Sequence, residues 1–406
     1  MARYKKPAPQ ATTDDSPVVQ TLNALILGHL SKLLPELVEQ EISESLGRTR
    51  YEHHEAKAEK QYRNGYHKPR SLACGCGTFA FQLPRLREPF ESQIVKRYQR
   101  CTDEVAAMLP QLYLHGLATG DFRDALQALL GEQAPLSPAS IVRLKQDWEQ
   151  EYKAWQQRSL QADYLYVWTD GVYPKAGPKD ENMAVLVVVG LNRQGEKEIL
   201  AIEEGQRESE ETWREIFRNL KQRGVRWTGL TIADGLEGLR KAVREVFPLA
   251  KHQRCFVHKM RNVLDKIPSK LHDEAQTALQ KIYNAGSRAE ALSLKQAFVA
   301  RYGQDYPKAV KSLNEAGDLL LSYFDFPEPH WKSIKSTNVI ESMFAAVKLR
   351  TDAARRIRTR ESGLYLVFKL LTTQELRLHK IRSHKLVAET IDALKHSQHL
   401  KSRKAA

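Results

Sequence analysis

Asp170, Asp234 and Glu341 are the residues of this 406-residue chain whose types and settings could carry phosphate chemistry. Asp170 and Asp234 each close an apolar run and each precede a glycine, as Thr-Asp-Gly at 169–171 and Ala-Asp-Gly at 233–235. A carboxylate at the end of a strand points into the crevice where open α/β sheets bind ligands. For either aspartate alone, capping a helix or shaping a turn is the better account; two in one sheet favour a shared site. Glu341 sits in KSTNVIESMFAAVKLRT, within a segment, 331–360, that holds eight Lys or Arg residues opposed only by Glu341 and Asp352. Such a surface suits phosphates, which repel carboxylates. Glu341 therefore either serves its helix, since Asn338 to Glu341 has capping-box spacing, or holds a cation that a phosphate also wants. Mg²⁺ fits: it takes carboxylate oxygens and keeps waters that substrate can displace. Two such ions about 3.5–4 Å apart activate water and stabilise the leaving oxygen of an in-line attack on phosphorus. Mn²⁺ is expected to substitute.

Other residues could support that chemistry. Lys335, Lys348, Arg350, Arg355, Arg356 and Arg358 are candidate DNA contacts from the basic segment. Trp331, between His330 and Lys332, is either a packed tryptophan or a platform for an unstacked base. Cys255 and His258 form a Cys-x-x-His, half of a zinc site, whose plainer reading is a packed cysteine beside a DNA-facing histidine. Cys74-Gly-Cys76 with His67 makes a zinc knuckle conceivable, but no second cysteine pair completes it.

The elements that must position these groups follow from the apolar pattern. Residues 18–46 carry helical spacing, 63–77 are turn-rich, and 79–83 alternate as a short strand. From 98 to 160 the pattern is helical: one helix over 103–115 closed at Gly116, a second from Asp121 to Gly131, and a third opened by Ser137-Pro138. The third, over 137–149, exposes Ser140, Arg143 and Lys145, as the reading helix of a helix-turn-helix would; an ordinary helical subdomain has the same pattern. Strands are expected at 164–169, 183–189, 199–202, 229–233 and 253–257, with helices after 208 and 235. That order, three strands, helix, strand, helix, strand, predicts an α/β sheet with helices packed on it. Residues 268–328 read as helices only.

The totals set the class. A chain this long predicts two or three domains. Hydrophobic content of 42% and charged content of 28% describe a globular protein. The formal charge of +14 favours a polyanionic partner. The longest apolar run, 183–191, is far short of the roughly 20 residues that cross a bilayer, and the N-terminus has no signal-peptide core. Four cysteines make no disulfide framework. A cytoplasmic protein with no membrane partner is expected.

The stretches TDGVYPK around Asp170, ADGLEGLRKAV around Asp234, RCFVHKMRNVL from Arg254 and STNVIESMFAAVKLRT around Glu341 resemble the transposases of Mutator-type bacterial insertion sequences. RNGYHKPR, QLPRLREPFES and VKRYQR resemble the N-terminal region of that family, and the motifs keep family order from about 60 to 375. The resemblance implies a DDE catalytic core of RNase H-like α/β fold, interrupted by an all-α insertion and preceded by a mainly helical DNA-binding region. It makes Asp170, Asp234 and Glu341 the triad and gives Cys255 and His258 a family motif of unassigned role. The implied organisation is an N-terminal region (1–97), a helical DNA-binding region (98–160), the core (161–265), the insertion (266–330), the rest of the core (331–380) and a basic tail (381–406). The implied activity is that of a DNA transposase acting in the bacterial nucleoid. It binds terminal inverted repeats, cuts them with metal-activated water and joins the 3′-hydroxyl to target DNA by transesterification, working as a dimer or higher oligomer. A related nuclease or resolvase without strand transfer, and a DNA-binding descendant without catalysis, are the rival readings; an intact set of three carboxylates speaks against the second.

Overall fold

The computed structural model describes residues 17–52, 62–114, 122–131, 138–177, 181–205, 209–353, 357 and 359–405. The chain divides into two compact units, Met1–Leu144 and Lys145–Ala406. Among the described residues no helix is long and apolar enough to cross a membrane.

In the first unit, α1 (Pro17–Leu46) lays Val38 and Ile42 against a small β layer. That layer pairs β1 (Arg63–Tyr66) with β4 (Pro84–Leu86), and β2 (Arg70–Cys74) with β3 (Gly77–Phe81), both antiparallel. The stretch expected as turns at 63–77 is thus mostly strand. Leu72, Phe79 and Phe81 alternate inward and join Val38 and Ile42 in one core, the burial that converts a Gly-rich sequence into a hairpin. Gly77, at φ +135°, turns the hairpin. Cys74 is buried and its thiol donates to the Gly77 carbonyl at 3.3 Å, whereas Cys76 is exposed. Then come α2 (Asp103–Leu114) and α3 (Phe122–Leu130), the latter ended by Gly131 at φ +91°.

The boundary between the units falls inside α4 (Pro138–Gln157). The side chains of Ser140, Arg143 and Lys145, with Ser137 itself, lie outside the described residues. Past the boundary α4 belongs to the second unit: the Tyr152 hydroxyl donates to the Ile202 carbonyl at 2.7 Å, and the Trp155 and Phe368 rings lie 5.3 Å apart.

The second unit is organised by a five-stranded sheet. An antiparallel meander of β5 (Asp163–Val172), β8 (Ala184–Asn192) and β9 (Lys197–Gly205) is extended on the β5 side by β10 (Trp227–Ala233) and β11 (Lys251–Arg254), both parallel to β5. The two-residue strands β6 (Lys175–Ala176) and β7 (Glu181–Asn182) pair beside it. Every residue of β8 is buried, as a strand covered on both faces requires. One face receives α5 (Glu210–Gln222) and α6 (Glu237–Val246), whose Trp213, Phe217, Leu239 and Val243 pack on Val167, Leu186, Val188 and Leu200. Ser209 caps α5 by accepting the Thr212 N–H at 3.2 Å. After β11 come α7 (Phe256–Leu264), α8 (His272–Tyr283), α9 (Arg288–Tyr302) and α10 (Pro307–Glu315), with no strand among the described residues from there to the C-terminus. The short α11 (Trp331–Ile334) leads into α12 (Asn338–Ala353), α13 (Arg360–Glu375) and α14 (Leu386–Ala405). The strand expected at 253–257 ends at Arg254, which places Cys255 at the start of α7.

Candidate active site

Two parallel strands set the aspartates side by side. Ala233, the last residue of β10, is in register with Thr169 of β5, so Asp170 and Asp234 each directly follow a paired position on strands about 4.8 Å apart. Asp170 is not the last residue of its strand, as the sequence suggested: β5 runs on to Val172, and Asp170 pairs with Val187. Along a strand alternate side chains share a face, so Asp170 lies on the face of Tyr166 and Trp168. Those two meet the chain just ahead of α12, Tyr166 through its hydroxyl to His330 Nδ1 at 2.8 Å and Trp168 through its indole N–H to the Ser333 carbonyl at 3.1 Å. The sheet face bearing Asp170 therefore carries the segment that delivers Glu341. Each aspartate accepts the N–H of the glycine after it, Gly171 at 2.9 Å and Gly235 at 2.8 Å. Gly235 lets the Arg254 guanidinium lie against the backbone, and a Cβ there would push that group aside. Burial lowers the pKa of that guanidinium, and the charges of Asp234 and Glu315 oppose the shift.

Glu341 is held by Thr337 rather than by Asn338. The Thr337 carbonyl accepts the Glu341 N–H at 3.0 Å, and the Thr337 hydroxyl donates to Glu341 Oε1 at 2.8 Å. The cap thus falls one residue earlier than the capping-box spacing implied, and the Glu341 carboxylate is turned to a hydroxyl instead of a backbone N–H. Ile340, Met343, Phe344 and Val347 form the buried stripe of α12, which leaves Glu341 part-exposed at the cleft.

The three carboxylates line a single cleft of about 590 Å³, together with His258, Arg261 and Lys348. His258 is pushed up to about 9, chiefly by its contact with Cys255; burial works against the shift and the charges of Asp234 and Asp170 reinforce it. Hard oxygen donors facing one polar cleft, with cations at its wall, suit a hard divalent ion and a phosphate together. The tightest group of metal-type ligands among the described residues is a different one, Cys255, His258 and Glu341, whose donor atoms lie within 4.8 Å of one another.

The remaining candidates are placed as follows. Lys348 is exposed in the cleft wall. Lys335 is a correction: it is buried, its ammonium donates to the Tyr283 carbonyl at 2.7 Å and lies 4.7 Å from the Tyr323 ring centre, and burial lowers its pKa. Arg350 is another. It continues the inward stripe of α12, one turn beyond Val347, and is only 4% exposed. Trp331 is part-buried, edge-on to Tyr323 and Phe324, and its indole N–H donates to the Phe326 carbonyl at 2.8 Å. Arg355, Arg356 and Arg358 lie outside the described residues. Sequence reasoning missed Arg261 and Thr337. Arg261 follows His258 by three residues on α7, and Thr337 precedes Glu341 by four, so helical spacing could have found both; the contacts of Thr337 with Cys255 and His258 come from distant sequence and gave no signal.

Residues 4–378 match the family model described as "Transposase, Mutator family". The chain is 41% identical over 285 residues to the transposase for insertion sequence element IS6120 of Mycolicibacterium smegmatis, covering 70% of this chain and 88% of that protein. It is 40% identical over 258 residues to the transposase for insertion sequence element IST2 of Acidithiobacillus ferrooxidans, covering 63% and 87%. It is 30% identical over 368 residues to the transposase for insertion sequence element ISRM5 of Rhizobium meliloti, covering 88% and 91%. Among solved structures, the Drosophila P element transposase strand transfer complex aligns with 72% of this chain and 91% of its own at 11% identity and a TM-score of 0.23, too loose a superposition to bear on the fold.

Proposed function

This chain belongs to the Mutator family of transposases, DNA-cleaving and DNA-joining enzymes of insertion sequences, and from that premise we propose that Asp170, Asp234 and Glu341 are its catalytic carboxylates. The observation that carries this reading is their convergence, from three distant stretches of sequence, on one cleft. The strand order, an antiparallel meander with two parallel strands added beside its first, supports an RNase H-like core of the DDE class. The helical stretch between α7 and α12 corresponds to the proposed insertion.

Two Mg²⁺ ions bound by these carboxylates would supply an activated water and a counter-charge for the leaving oxygen. The protein residues do the rest. Asp170 and Asp234 are fixed by the sheet and cannot drift apart, while Glu341 closes the cleft from α12. His258, Arg261 and Lys348 offer positive charge to the scissile phosphate and its neighbours. Water attacks phosphorus, the bond to the 3′-oxygen breaks, and that oxygen leaves as the 3′-hydroxyl. In the second step the same hydroxyl attacks a target phosphodiester, one ester bond forming as another breaks, with no covalent link to protein. Both DNA ends must be held at once, so a dimer or larger assembly performs the reaction. The N-terminal unit and the start of α4 select the terminal inverted repeats.

Glu341→Gln tests the assignment. Glutamine still accepts the Thr337 hydroxyl, so the helix start is preserved while the charge is lost. The variant is expected to bind repeat-end DNA normally and to lose nearly all Mg²⁺-dependent cleavage and strand transfer of pre-cut ends. Asp170→Asn and Asp234→Asn should behave alike, whereas Asp352→Asn stays active. Robust cleavage by Glu341→Gln would sink the triad. Retained cleavage by the wild-type protein with no joining of pre-cut ends would reduce it to a nuclease.

A further inference from the structure

Cys255, His258 and Glu341 bring a thiol, an imidazole and a carboxylate close enough to suggest a soft metal site. A side chain already stands among them. The Thr337 Oγ1 is 3.3 Å from Cys255 Sγ, 3.4 Å from His258 Nδ1 and 2.8 Å from Glu341 Oε1. A zinc ion would need those ligands about 2.0–2.3 Å from a shared centre, and the threonine hydroxyl fills that centre.

The hydroxyl has one proton to give, and its shortest contact is the Glu341 carboxylate. The Cys255 sulfur, a weaker and more distant acceptor, and the His258 ring lie around the same oxygen. Cys255 extends the connection in both directions. Its sulfur accepts the Thr337 N–H at 3.4 Å, and its own N–H donates to the Ala233 carbonyl at 2.7 Å, one residue before Asp234. A continuous path therefore runs from the β10 terminus that carries Asp234, through Cys255 and Thr337, to the carboxylate of Glu341. Cys255 is completely buried and Thr337 equally so, which protects each contact from competition by water.

We propose that Thr337, seated on Cys255, is the positioning residue that fixes the Glu341 carboxylate relative to Asp234, so that Cys-x-x-His serves as a buried support for the third carboxylate and not as a metal site of its own. This rests on the proposed role of Glu341 as a metal ligand. Glutamate has three side-chain torsions, each with alternative wells; a hydroxyl bond to Oε1 selects one arrangement before any ion arrives. Groups that orient a metal ligand typically contribute 10–100-fold in ion affinity.

The test uses the full-length protein with Mn²⁺ as probe, followed by the electron paramagnetic resonance signal of the free ion, beside the Mg²⁺ concentration that half-saturates cleavage. Thr337→Val keeps the branched shape and removes only the hydroxyl. It should weaken Mn²⁺ binding and raise the Mg²⁺ requirement about 10-fold or more, with repeat-end binding in EDTA unchanged, and Thr337→Ser should restore both. Cys255→Val, close in volume, should shift ion affinity in the same direction. Wild-type Mn²⁺ affinity in Thr337→Val, or failure of Thr337→Ser to restore it, overturns the inference. Glu341→Gln is the control for its premise. If Glu341→Gln binds Mn²⁺ as the wild type does, the catalytic reading itself fails. If Glu341→Gln is weakened while Thr337→Val is not, only the positioning role falls.

Discussion

Trp331 and Lys335 were both candidates for touching DNA, and their immediate neighbours separate that role from packing. The indole N–H of Trp331 is already satisfied by the Phe326 carbonyl, its ring meets Tyr323 and Phe324 edge-on, and the Lys335 ammonium sits 5.8 Å from its centre. An aromatic cluster closed around a buried cation holds α11, and hence the approach to Glu341, in place. Trp331→Ala should therefore cost about 3 kcal/mol of stability in urea unfolding and slow cleavage of duplex and pre-melted ends equally. A loss confined to duplex ends, with unchanged stability, would instead return Trp331 to stacking on an unpaired base. Lys335 shows why charge counting overestimates a binding surface: its ammonium is used internally, and only the path of the backbone reveals this.

At the scale of elements, the basic end of the chain gains a structural purpose that its composition concealed. It forms α14, which buries Val387 and Ile391 completely. Lys395 pairs with Asp163 at the start of β5 at 2.5 Å, and Gln398 accepts the Trp227 indole N–H at 2.9 Å. These contacts brace the near ends of β5 and β10, the two strands whose far ends carry the aspartates. Ile391→Ala should destabilise the fold by about 2–5 kcal/mol, the usual cost of deleting a core aliphatic side chain, read as a lower urea midpoint. Its repeat-end binding at low temperature should be unaffected. A midpoint equal to that of the wild type would show that α14 does not dock in solution.

For the whole molecule, the division after Leu144 sets where the chain can be cut. A protein beginning at Lys145 retains Trp148 and Tyr152, both buried in the second unit. It should keep non-specific, salt-sensitive DNA binding, because Arg261 and Lys348 remain, and lose preference for repeat ends. Full preference in that truncated protein would remove repeat recognition from the first unit. Starting instead at residue 158 should lower the melting temperature, since it strips away the Tyr152 bond to Ile202 and the Trp155 contact with Phe368.

The sequence by itself made legible the α/β class, the strands of the central sheet and three carboxylates that meet at one cleft. Strands covered on both faces demand apolar runs, and an Asp-Gly near the end of such a run is a local pattern that survives without tertiary information. The same locality explains the errors. Burial on one helix face decided that Arg350 turns inward, and an aromatic pocket assembled from 283, 323 and 331 captured Lys335. The short β1 and β2 strands are marginal until Leu72, Phe79 and Phe81 meet α1, so their Gly-rich sequence resembles a loop. Only tertiary structure could place the Thr337 hydroxyl among Cys255, His258 and Glu341, because the residues of that hub are up to 86 positions apart and hydrogen bonding has no sequence period.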